Sequence, residues 1–181
     1  MSDLGGTRTG EVRPNLEAAR AAMLDELDLS ELATLRTRIT CDCDELPKVV
    51  GAMRPKARAT HGHAQVYMPK AHKLAQAEIA RRYREARGTI RSGFTGPVML
   101  VVVSHRCMPR TASARTAGDP DTHKPDADNV CKLVADALTG TAWRDDAQIV
   151  WMSGAKAPRV TRGGRDWLDI QVTYCERKGL L

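Results

Sequence analysis

An α+β domain built on one mixed sheet is the fold class this chain predicts, and three observations predict it. Two stretches, roughly 70–87 and 129–138, space their apolar residues as helices do. Short β-branched runs stand before, between and after them rather than alternating strictly with helices. One run, "GPVMLVVVSHRCM" at 96–108, is apolar at every central position, as a strand covered on both faces must be. At 181 residues the chain fits one domain with a tail and can bury a core.

The elements follow in order. Residues 1–14 are rich in Gly, Thr and charge and read as a mobile end. A helix is expected from Asn15, which can cap it, with Leu16, Ala19, Met23 and Leu27 as its stripe. A helix so short is marginal alone, so docking on the body or across a dimer is favoured over a mobile acidic arm that shields the DNA surface. A brief helical turn is expected at Ser30, then a strand in "LRTRITCDC" with Thr37, Ile39 and Cys41 on one face. Residues 45–63 read as a basic loop, because Pro47 and Pro55 oppose regular structure. A short strand "AQVYM" leads through Pro69 into the helix at 70–87. There Ala75, Ile79, Tyr83 and Ala86 form the apolar stripe, and Lys70, Lys73, Arg81 and Arg84 a basic one without interleaved acids. After the central strand and a polar loop at 109–122 comes the second helix. "QIVWMSGAK" and "DWLDIQVTYC" then read as strands joined into a hairpin through "TRGGRD". The organisation is thus a partly helical N-terminal extension at 1–34 and a body at 35–177 with two main helices on a mixed sheet.

Charge narrows the function. The net charge is +6, unevenly spread: residues 1–50 sum to −4 and residues 51–181 to +10. A basic body attracts polyanions, nucleic acid first. No run approaches the ~20 apolar residues of a membrane span, and the N-terminus lacks a signal-peptide pattern. Five cysteines, at 41, 43, 107, 131 and 175, include no CxxC. Cys41 and Cys43 with His61 and His63 match no common zinc spacing, and the set reads as thiols of a reducing, cytoplasmic compartment.

The chemistry concentrates in "HKPDADNVCKLVADAL", residues 123–138. Pro125 biases its predecessor to extended geometry, so Asp126 and Asp128 point to one side. Asp128 is placed to cap a helix that starts near Asn129 and stops at Gly140. Val130, Leu133, Val134, Ala137 and Leu138 form the buried stripe, and Lys132 lies opposite it, one turn beyond Asp128. "WRDDAQIV" adds Asp145 and Asp146 before a strand. Clustered carboxylates repel one another unless a cation joins them, and hard oxygens suit Mg²⁺ or Mn²⁺. A lysine beside such a cage suits a phosphoryl oxygen. Alone, either acidic pair is an ordinary cap or turn; DxDNxxK followed by WxDDxQ and a strand is far more specific.

The stretch "KPDADNVCKLVADALTGTAWRDDAQIV" closely resembles the RusA family of Holliday-junction resolvases, common in phage-derived genomes. "PKVVGAMRPKARATHGHAQVYMPKAHKLAQAEI" is similar to that family's basic loop, short strand and following helix. The resemblance spans roughly 36–175. It implies an active site of Asp126, Asp128, Lys132 and Asp146 with Asp145 as neighbour, a homodimer, Mg²⁺-dependent cleavage, and four-way DNA junctions of recombination and repair as substrate. Two features depart from the pattern: the acidic extension of about 35 residues, and an Arg54–Arg58 loop longer than the family's compact one. The expected activity is hydrolysis to 5′-phosphate and 3′-hydroxyl ends, with Asp126, Asp128 and Asp146 holding the metal. Lys48, Arg54, Lys56, Arg58, Lys70, Lys73, Arg81 and Arg84 are the candidates for backbone contacts. A non-catalytic junction- or duplex-binding protein is the alternative, and it leaves clustered acids facing phosphates without a use. A small-molecule metal phosphatase leaves the basic helix without one.

Overall fold

The computed structural model describes residues 13–60, 63–87, 93–160 and 162–179. The expectation for the first 12 residues, and His61, lie outside them. The order is α1 (Arg13–Glu26), β1 (Leu29–Thr40), β2 (Lys56–Thr60), β3 (His63–Tyr67), α2 (Lys70–Arg87), β4 (Val98–His105), α3 (Ala127–Leu138), β5 (Ile149–Lys156) and β6 (Trp167–Arg177). The main sheet runs β1-β6-β4-β5, with β4 and β5 parallel and the other pairs antiparallel. It is the expected α+β domain with a mixed sheet. Among the described residues no helix is long and apolar enough to cross a membrane.

The apolar run at β4 takes a central place because only there are both of its faces covered. Val98, Leu100 and Val102 are buried on the side of α2 and α3, against Leu133, Val134 and Leu138. Tyr83 of α2 and Tyr174 of β6 share a buried hydroxyl–hydroxyl hydrogen bond of 2.9 Å. The apolar stripe of α2 holds at Ala75, Ile79 and Tyr83 but not at Ala86, which is exposed.

Four local expectations are corrected. β5 and β6 form no hairpin: β4 lies between them, and the chain after β5 passes the end of β4, where Ala157 N–H donates to the Ser104 carbonyl. Parallel β4 and β5 need a crossover, which α3 provides. Residues 56–60 form a strand rather than loop, paired with β3, because Pro55 stands just before it and costs no ladder bond. No helical turn starts at Ser30: Leu29 already pairs with Arg177, and Ser30 with Glu176. Asn15 does not begin α1, which already includes Arg13.

α1 docks on the sheet face opposite α2 and α3. Met23 and Leu24, rather than the whole expected stripe, pack on Leu29, Met99, Cys175 and Trp151, while Leu27 is 40 % exposed. Asp28, in the left-handed region at φ 53°, turns the chain into β1, and its carbonyl accepts from Lys178 N–H at 2.9 Å. Arg20 bridges Glu17 and Glu31. Removing residues 1–28, which stops short of β1, uncovers Met99. The expected loss is about 2 kcal/mol of apolar burial, or a fall of about 4–8 °C in melting temperature by thermal scan.

Candidate active site

The N-terminus of α3 is set by Asp126, not Asp128. Asp126 is extended, with φ −74° and ψ 151°, and its carbonyl accepts the first helical bond from Val130 N–H at 3.1 Å. Its carboxylate makes no capping bond, and Asp128 falls in the first turn. The helix therefore starts two residues earlier than capping by Asp128 requires. Its buried stripe is as expected, and Gly140, at φ 76°, follows its end. Asp128 and Lys132, one turn apart, share a face and are exposed. Among the described residues neither Asp126 nor Asp128 has a side-chain ion-pair partner. Two carboxylates with no ion-pair partner among the described residues thus stand at one helix start, where the N–H groups of the first turn favour negative charge. Beneath them Cys131 packs so closely on Gly154 that a Cβ there would sit 2.3 Å from the Cys131 sulfur. Burial, with the Asp128 charge behind it, pushes the Cys131 thiol up to about 11, so it stays an unreactive packing group.

Asp126 borders a cleft of about 420 Å³ between the chain at 48–53 and the start of α3. Ala52 N–H donates to the Asn129 carbonyl at 2.7 Å, and a Cβ on Gly51 would meet Asn129 and Pro125 at 2.9 and 3.0 Å. Lys48, Arg106 and Lys124 line the same cleft. Arg106 and Lys124 are absent from the sequence-derived set. The available signal was position: Arg106 directly follows the C-terminal end of a parallel strand, where α/β crevices collect ligands.

Two further carboxylates hold this region in shape, and neither belongs to a motif. The Asp121 side chain is 1 % exposed and meets Arg106 at 3.2 Å and Arg159 at 2.7 Å, while accepting from His123 N–H at 3.2 Å. Burial alone would raise its pKa, but the Arg159 bond, the His123 N–H and the two guanidinium charges outweigh it and hold the carboxyl below the usual range. Asp166 accepts from Val49 N–H at 3.1 Å and Cys107 N–H at 2.8 Å, tying the basic chain segment to the exit of β4.

The second acidic pair lies elsewhere. Asp145 caps a 3-10 turn at Asp146–Gln148: its carboxylate accepts from Ala147 N–H at 2.9 Å, and the Gln148 side chain accepts from Asp145 N–H at 2.8 Å. Asp146 is exposed, and among the described residues it pairs with no cation. The Gln148 amide donates to the Phe94 and Gly96 carbonyls, which places the turn at the N-terminal end of β4. The start of α3 sits at the other end of the sheet, where Ala127 approaches Gly154 and the Lys156 ammonium donates to the His123 carbonyl. Most of the 12-residue helix α3, about 18 Å long in all, lies between the two pairs. Accordingly, no group of three potential metal ligands forms among the described residues.

The basic candidates divide. Lys48 lines the cleft, and Arg54, Lys56 and Arg58 are exposed on the ribbon β2–β3 and its root. Lys70, Lys73 and Arg84 are exposed on α2. Arg81 differs from the expectation of an acid-free stripe, because Glu78 and Glu85 stand one turn either side and both pair with it. Glu78 is 9 % exposed and also holds Arg82; the Arg81 bond, with Arg82 behind it, keeps its carboxyl at about 2. Arg81 is thus already neutralised. Replacing Lys70 and Lys73 by Ala should make the salt dependence of DNA binding shallower by about one to two log–log units, whereas Arg81→Ala should leave it unchanged. Binding titrations across a salt series measure both.

Comparison with curated proteins gives no match. Residues 47–164, about two thirds of the chain, match the family described as Endodeoxyribonuclease RusA. That span holds the cleft, α3 with Asp126, Asp128 and Lys132, and the Asp145–Asp146 turn, and the chain belongs to the RusA endodeoxyribonuclease family.

Proposed function

We propose that this protein is a magnesium-dependent, structure-selective endodeoxyribonuclease. It resolves four-way DNA junctions in the cytoplasm by paired nicks that leave 5′-phosphate and 3′-hydroxyl ends. The observation that carries the reading is the pair of carboxylates, Asp126 and Asp128, that have no ion-pair partner among the described residues and stand at a helix start, Asp126 on a cleft also lined by Lys48, Arg106 and Lys124. The donor set fits a hard divalent ion, since Mg²⁺ is commonly held by one or two carboxylates with substrate phosphate and water completing its shell. Mn²⁺ fits the same donors. When bound there, the ion supplies a water of lowered pKa and charge to offset the phosphoryl oxygens. Lys132 stands one turn along the same face and stabilises negative charge on the scissile phosphate. Arg106, braced by Asp121, and Lys124 draw the strand into the cleft and fix its register there.

Asp146 joins this site only from a second copy. Its own chain holds it at the far end of α3, so a symmetric dimer that sets the α3 start of one copy against the Asp145–Asp146 turn of the other completes two equivalent sites. Two sites match a substrate with two equivalent strands. The boundary expected at 34/35 falls inside β1, so in this reading the nuclease body begins with β1 at Leu29 and the extension that braces it ends with α1. The test offers the purified protein a labelled four-way junction and a linear duplex of the same sequence. With Mg²⁺ the junction is cut symmetrically and the duplex is not; with a chelator neither is cut, while the junction is still bound. Equal cutting with the chelator would remove the metal from the proposal.

A further inference from the structure

The ribbon β2–β3 projects from the rim of the cleft with both faces open. Every residue from Lys56 to Ala59 and from Ala64 to Tyr67 is exposed, Val66 at 69 %. A two-stranded ribbon with neither face covered is marginal in water, so a partner surface is required to hold it. Its register sorts the side chains. Lys56 opposes Tyr67 and Arg58 opposes Gln65, which puts two cations, an amide and a phenol on one face. Ala57 opposes Val66 and Ala59 opposes Ala64 on the other, which keeps the ribbon thin. Residues 54–67 contain no Asp or Glu, so the charge suits a polyanion and repels a basic protein surface.

The root of the ribbon is fixed to the candidate site. Met53 N–H donates to Nδ1 of His72, itself buried, and Ala52 N–H to the Asn129 carbonyl of α3. The returning strand runs through Pro69 into α2. DNA gripped at Asp126 therefore presents its adjoining duplex to this ribbon. A major groove about 12 Å wide admits a two-stranded ribbon, and the side chains opposite one another at Arg58 and Gln65 are those that pair with guanine and adenine edges.

We propose that the β2–β3 ribbon enters the major groove of the duplex arm beside the cut phosphate, where Arg58 and Gln65 read base edges and set the sequence preference of cleavage. This rests on the reading of the protein as a junction endonuclease. A five-residue strand spans about 17 Å, so the bases read lie within about five base pairs of the cut. Lys56 and Tyr67, at the root, meet the backbone.

The test uses the full-length protein with Mg²⁺ and four-way junctions whose mobile core lets the crossover pass through many sequences. Cut positions are mapped for the wild type, Arg58→Ala and Gln65→Ala. The readout is the ratio of cutting at preferred and other positions, which overall rate does not enter. Wild-type cuts should be confined to a few positions, and each variant should flatten the ratio about tenfold. Placing 7-deazaguanine within five base pairs of the preferred cut should weaken wild-type discrimination and leave Arg58→Ala indifferent. Unchanged ratios in both variants would overturn the proposal and leave the ribbon a backbone clamp. So would variants that change only the oligomeric mass, which would seat the ribbon on a second copy. A wild type that cuts no junction at all would overturn the nuclease reading, and this proposal with it.

Discussion

The Asp128→Asn protein is expected to bind a four-way junction and not to cut it. Asp128 is exposed in the first turn of α3 and, among the described residues, forms no ion pair, so the amide changes no packing. What it removes is one of the two negative charges proposed to hold a divalent ion at the helix start. Loss of several kcal/mol of electrostatic stabilisation corresponds to a fall in cleavage rate of about a thousandfold or more. Junction affinity should hold or rise, because a carboxylate that faces phosphates without its cation repels them. Single-turnover cleavage in Mg²⁺ and a binding titration in chelator measure the two effects separately. Full cleavage by this variant at saturating Mg²⁺ would move the active site away from α3.

Mixing two inactive proteins, Asp128→Asn and Asp146→Asn, should restore nicking. Each copy places its α3 start and its Asp145–Asp146 turn at opposite ends of the sheet, so in the proposed dimer a complete site would draw Asp126 and Asp128 from one copy and Asp146 from the other. In a mixed dimer one site carries both substitutions and the other carries neither. Random exchange makes about half the dimers mixed, each with one intact site of two, so about a quarter of wild-type nicking is expected. The products should be single nicks rather than paired ones. If each chain built its site alone, the mixture would stay as inactive as its components. A melting scan of each variant shows that the loss is chemical, since Asp146 is exposed too.

Which residues meet at the start of α3 was legible because the motif is local. Asp126, Asp128 and Lys132 fall within two helical turns of one another, and a 3.6-residue period with an apolar stripe places them whatever the rest of the chain does. The helix start was displaced by two residues because Asp126 and Asp128 are equally good caps by composition, and only the observed backbone angles of Asp126 decide between them. The β4 run was legible for the same reason, since apolar residues at every position require cover on both faces. Asp121 and Asp166 were not legible. Each stands in a polar loop, and its partners, Arg106 and Arg159 or Val49 and Cys107, come from distant segments. The acid partners of Arg81 were available at three and four residues' spacing and were masked by the density of cations around them.

By itself the sequence determined the two main helices, the central strand, the acidic helix start and the basic surface, each of which depends on neighbours within a turn or a strand, but not the strand at 56–60 or the early start of β1. Tertiary structure decided the order β1-β6-β4-β5, the docking of α1 through Met23 and Leu24, and the separation of Asp146 from Asp126 and Asp128. Strand order follows from which faces can be buried together, a property of the whole chain. Two carboxylate pairs a few residues from either end of one helix look adjacent in sequence, yet the rise of 1.5 Å per residue carries them to opposite ends of the sheet.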